Sequence, residues 1–87
     1  MTLEFTRTEH GSKHWAKVRA RSGTLPILEV RVYLHAAELR WACETWQGVE
    51  LFASREAAEA SAREHALREL RRLRNELDEM VLTLEAM

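Results

Sequence analysis

From Ser54 to Met87 the chain runs without a single Gly or Pro, while all three glycines and the one proline lie before it. No other feature constrains the fold as much. Ser54 suits an N-cap, because its hydroxyl can accept from the free backbone N–H groups of a first helical turn. Glu56 and Glu59 then suit the positive end of the helix dipole. The simple expectation is one long amphipathic C-terminal helix over 54–86. At 1.5 Å per residue its some 33 residues make a rod of about 50 Å.

The apolar stripe of this helix changes character along its length. Ala57, Ala58, Ala60, Ala62 and Ala66 are small, which lets a helix lie close against a sheet. Beyond them Ala66, Leu70, Leu73, Leu77, Met80, Leu84 and Met87 recur at spacings of three and four, a heptad-like seam.

The first 52 residues read as strands. Leu3 and Phe5 alternate with Thr2, Glu4 and Thr6. Glu9 to Lys13 has turn chemistry. Strict alternation follows, with Ala16, Val18 and Ala20 on one face and Trp15, Lys17, Arg19 and Arg21 on the other. Ser22-Gly23-Thr24 and Pro26 break the run. From Ile27 the pattern resumes, with Leu28, Val30, Val32 and Leu34 opposite Ile27, Glu29, Arg31 and Tyr33. Residues 35–47 admit either a short helix or a strand with Leu39, Trp41 and Cys43 inward. The strand is preferred because a three-strand sheet needs a further partner. Gly48 suits a bulge or turn. The expected fold is therefore α+β: an antiparallel sheet of three to four strands in β-β-β-(β)-α order (residues 1–52), packed on one long helix. With 87 residues, only three Gly and one Pro, the chain is expected to form a single domain.

Strands of seven or eight residues span roughly 25 Å, and four side by side cover about 19 Å. Such a sheet cannot cover a helix of about 50 Å. About half of the helix must bury its seam elsewhere, and each side chain like Leu77 gains roughly 1.5–3 kcal/mol on full burial. A partner helix, a break near Asn75 and a frayed tail are the three outcomes, of which the partner is preferred. Leu70, Leu73, Leu77, Met80, Val81 and Leu84 then form the expected homodimer interface.

Net charge is −1, but it is segregated: residues 63–74 carry five Arg and two Glu, whereas Glu76, Asp78, Glu79 and Glu85 leave the last turns purely acidic. Acid at a helix C-terminus opposes the dipole unless an antiparallel partner sets Arg68, Arg71, Arg72 and Arg74 opposite. Locally, Glu64–Arg68, Arg72–Glu76 and Arg74–Asp78 are i,i+4 pairs that would steady a solvated helix instead.

The residues offer little to catalysis. Cys43 is the only cysteine, so no intramolecular disulfide framework can form, and an inward strand position makes it core. No phosphate loop or serine elbow occurs, and no carboxylates are paired in a recognisable catalytic setting. His10 and His14 stand four apart beside Glu9, with His35 able to approach, which falls short of the convergent set a metal needs. His65 faces away from the seam and is expected to be exposed. No enzyme activity, cofactor or small-molecule substrate is expected. The N-terminus has no apolar signal-peptide core, and no run approaches the ~20 apolar residues of a membrane span. A reducing cytoplasm is the expected location.

The outward sheet face is the richer surface, with Trp15, Lys17, Arg19, Arg21, Arg31, Tyr33, Arg40 and Trp46. Aromatics interleaved with Arg and Lys suit an interface hot spot with another protein. They also suit stacking on bases and contact with phosphates, although Glu29 and Glu44 lie in the same field. A non-catalytic protein–protein module is the expected function (regulator, adaptor or inhibitor, of bacterial or phage type), with nucleic-acid binding as the alternative.

The layout of strands closing through Phe52-Ala53-Ser54-Arg55-Glu56-Ala57 into a helix resembles the double-stranded-RNA-binding fold. It is similar, too, to the arm-type DNA-binding domains of phage integrases, over residues 14–70. The likeness is architectural. Double-stranded-RNA binders open their last helix with lysines where this chain has Arg55, Glu56 and Glu59, so no functional residue is carried over.

Overall fold

The computed structural model describes residues 2–8, 14–35 and 37–87. Five strands precede one helix: β1 (Thr2–Thr8), β2 (Trp15–Ser22), β3 (Leu25–His35), β4 (Arg40–Thr45), β5 (Gly48–Phe52) and α1 (Arg55–Ala86). The strands form one antiparallel meander in the order β1-β2-β3-β4-β5, so β1 and β5 are its edges. The fold is α+β, as the patterning predicts, with one strand more than expected. The expected turn at Glu9–Lys13 lies outside the described residues.

The extra strand follows from Gly48. Its φ of 134° is rarely open to L-residues, and it stands directly after the two-residue turn Trp46-Gln47, paired with Thr45. The Gln47 N–H donates to Thr45 Oγ1 at 3.1 Å. Gly48 therefore closes a hairpin, and the chain continues as β5 rather than leaving the sheet. Gly23 (φ 59°) does the same at the first position of the β2–β3 turn.

Residues 40–45 are strand, and Cys43 is fully buried with Trp41 packed against the same core. Leu39 is not inward: it occupies the β3–β4 turn with φ 51° and is 80% exposed. Positive φ turns its side chain out of the strand alternation, and a bulky residue there carries a conformational cost.

The core is a two-layer contact. Ala16, Val18, Ala20, Leu28, Val30, Val32 and Cys43 meet Ala58, Ala62 and Ala66 of α1. Alanine on the helix side brings the backbone down onto the sheet. Ser54 caps α1 as expected, with extended φ/ψ (−129°, 153°), and its Oγ accepts from the Ala57 N–H at 3.2 Å. The helix continues unbroken past Asn75, which removes the break and fold-back alternative.

Arg55, at the first helical position, is buried at 8% exposure. Its Nε donates to Glu59 at 3.0 Å, and Nη2 reaches the Thr8 and Trp15 carbonyl oxygens at 3.3 Å. The guanidinium also lies 5.1 Å from the centroid of the Trp41 ring. One side chain thus ties β1, β2 and β4 to the start of α1. Glu59 shares its carboxylate with Arg7 at 3.3 Å, so a buried cation at an unfavourable helix end is offset by a nearby anion.

Candidate functional site

An α-helix is about 10 Å across and strands stand about 4.8 Å apart. A single helix can therefore cover only part of a five-strand sheet, and α1 packs chiefly on β3 and β4. Its own extent does the rest: the molecule measures 56 × 23 × 17 Å because α1 overruns the sheet. Two apolar surfaces follow from this one mismatch.

The first is the distal half of α1. Every residue from Arg74 to Met87 is exposed. Of the expected interface residues, Leu70 and Leu73 are half-buried at the sheet's margin. Leu77 and Val81 are 53% exposed, Met80 64% and Leu84 72%. The helix keeps all six on the side that continues from its sheet-facing stripe. Arg72 bridges Glu69 and Glu76, the latter at 2.6 Å. Arg72 donating to Glu69 holds that carboxyl below its ordinary value, although burial works the other way. Among the described residues, Arg68, Arg71 and Arg74 form no ion pair, nor do the carboxylates of Asp78, Glu79 and Glu85.

The second surface escaped the sequence reading. Leu3 pairs with Ala20 and Phe5 with Val18, so both belong to the core-side face of the sheet. Yet they are 64% and 56% exposed, because α1 does not reach over β1. Between β1 and the helix runs an open groove of about 440 Å³, lined by Leu3, Val18, Arg63, Ala66, Leu67 and Leu70 among others. The alternation of Leu3 and Phe5 was visible in the sequence. Which strand the helix would leave bare was not.

The outward sheet face brings together most of the expected aromatic and basic residues. Trp15, Tyr33, Ala42 and Leu51 are neighbours across four strands, and Ala42 is fully buried between its flanking large side chains. Lys17 lies 5.7 Å from the Trp15 ring centroid and 3.0 Å from Glu29. Arg31 reaches Glu29 at 3.0 Å, and Arg19 reaches it at 3.7 Å. The Lys17 hydrogen bond, helped by Arg31, holds the Glu29 carboxyl below its ordinary value against partial burial. Arg21 pairs with Glu4 at 2.8 Å on β1, and Arg31 also approaches Glu44 at 3.9 Å. Trp46 stands apart, in the β4–β5 turn, four residues or about 13 Å along the strand from Ala42.

Burial pushes the Cys43 thiol above its ordinary value, outweighing a hydrogen bond from Ser61. Such a thiol is a core group. His14 packs edge-on to Trp41 with ring centroids 6.2 Å apart, and His10 lies outside the described residues. His65 is not exposed as expected: its side chain is 14% accessible and its Nε2 lies 3.4 Å from Glu50, because β5 comes up beside the helix. Among the described residues no three His, Cys, Asp or Glu side chains converge to hold a metal ion. No helix is long and apolar enough to cross a membrane. Comparison with known proteins returns no matching family model, no similar curated protein and no similar solved structure.

Proposed function

We propose that this chain is a non-catalytic protein–protein interaction module that pairs with a second copy of itself through the distal half of α1. The observation that carries the reading is the unsupported helix. Leu77, Met80, Val81 and Leu84 stand on a rigid rod with no described residue of another element covering them. Full burial of each is worth roughly 1.5–3 kcal/mol, and a second copy supplies an equal seam. The outward Trp15/Tyr33 face remains for a further partner, as a regulator, adaptor or inhibitor would need. Each of Lys17, Arg19, Arg21 and Arg31 already faces a carboxylate, which favours a protein partner over a phosphate backbone. The reducing cytoplasm is the compartment we assign it, with Cys43 a buried free thiol.

The test is the absolute mass in solution by light scattering, full-length beside a chain ending at Asn75. Removal of 76–87 takes away only exposed residues, so the shortened chain keeps its core. A mass of twice 10.1 kDa that falls on truncation to that of one shortened chain is the expected result. A full-length monomer overturns the reading.

A further inference from the structure

We infer that the groove between β1 and α1 is the seat of the partner's last helical turns, so that the pair is antiparallel and each copy fills the other's groove. The inference rests on the dimer reading above and says where the seam goes.

Seam spacing is the first argument. Leu73 and Leu77 stand equally far from Asn75, as do Leu70 and Met80, and Ala66 and Leu84. An antiparallel partner crossing at Asn75 therefore meets seam with seam at every step. Beyond Leu70 the seam is closed to it, because Ala66 is buried against the sheet at 4% exposure. The partner helix must leave the seam there for the open flank of Leu67 and Arg63, which is the wall of the groove. In this register Leu84 of the partner subunit arrives level with Ala66, and Met87 of the partner subunit level with Arg63. Opposite them on the sheet stands Leu3, apolar, core-facing and uncovered, with the equally bare Phe5 two residues further along β1.

Charge selects the same direction. The same register brings the acidic stretch Glu76, Asp78 and Glu79 of one helix level with the arginine-rich stretch Arg71, Arg72 and Arg74 of the other, most of these residues without an ion pair of their own among the described residues. The last turn of α1 has no basic residue, so its dipole end and Glu85 are both negative and come to rest near Arg63 and Arg68. A parallel pair would instead stack arginine on arginine and acid on acid, which is repulsive.

The experiment uses the full-length chain. Leu3→Glu places a charge in the groove far from the seam, at a position already exposed in the single copy. The wild type should be dimeric, and Leu3→Glu should weaken the dimer at least about tenfold, with the same thermal melt as the wild type at concentrations low enough that both are single copies. A variant that dimerises as the wild type does would overturn the groove while leaving self-association standing. A monomeric wild type would overturn both. Orientation is read independently by a short bismaleimide on chains carrying Leu3→Cys or Leu84→Cys, since the native Cys43 is buried. Cross-linked dimer in the mixture alone supports the proposal. Efficient cross-linking of Leu84→Cys with itself means a parallel pair and overturns it.

Discussion

The two halves of α1 are one continuous helix with opposite surroundings. In the proximal half the sheet-facing positions are Ala58, Ala62 and Ala66, each nearly inaccessible. In the distal half the equivalent stripe holds Leu77, Met80 and Leu84, and all of it is bare. Helix propensity does not distinguish the halves, since Ala, Leu, Met, Glu and Arg are all good formers. Side-chain size does. Small residues sit where the helix backbone meets the sheet, and large ones where no described residue covers the helix. A helix that buries alanine and exposes leucine keeps most of its large apolar surface out of its own core.

That contrast can be broken at its strongest point by Ala62→Glu. A charge without a partner at 1% exposure should cost about 4 kcal/mol or more, enough to abolish the cooperative melt followed by circular dichroism. Retention of a wild-type melting temperature would mean that the proximal contact is loose. Next comes Arg55→Ala, which leaves Glu59 with Arg7 alone and takes the guanidinium donor from the Thr8 and Trp15 carbonyl oxygens. A loss of about 3 kcal/mol in urea unfolding is expected, and a change under about 0.5 kcal/mol would show that the buried guanidinium holds nothing together.

The distal half should behave in the opposite way. Leu77→Glu combined with Leu84→Glu should leave the stability of the single copy within about 0.5 kcal/mol, while the dimer dissociation constant rises about 100-fold or more. Sedimentation across a concentration series separates the two quantities. Equal damage to fold and association would erase the distinction between the halves. Glu29→Gln, on the sheet face that α1 never touches, sharpens the comparison as a small control. The Glu29 carboxyl is held below its ordinary 4.5 when folded, so its contribution is present above that value and lost as pH falls through the depressed one. The variant should be less stable than the wild type at neutral pH, by under about 1 kcal/mol. The difference should vanish in acid, and one that persists there would place its origin outside the Lys17 and Arg31 contacts.

Much of this arrangement was legible in the residues. Alternation sorted β2 and β3 into their two faces correctly, and Ser54 marked the helix start to the residue. The mismatch between helix length and sheet width alone implies an uncovered distal seam. What failed was of a different kind. Gly48 reads correctly as a bulge or turn, yet the fifth strand that its hairpin opens goes uncounted. Leu39 fits an inward alternation, yet the β3–β4 turn demanded a left-handed residue and took it out of the strand. Arg55 looks like any helix-opening charge until β1, β2 and β4 converge on it.

By itself, then, the sequence determined the elements whose cause is local: a helix without breakers, strands with period-two faces, and a seam longer than any sheet this chain could build. Only the tertiary structure decided where that helix lies. Resting over β3 and β4, it leaves Leu3 and Phe5 uncovered on β1 and opens the groove beside Leu67. Side-chain periodicity fixes which face of a strand is apolar, but which strands one helix of limited width covers is settled by packing between residues far apart in the chain.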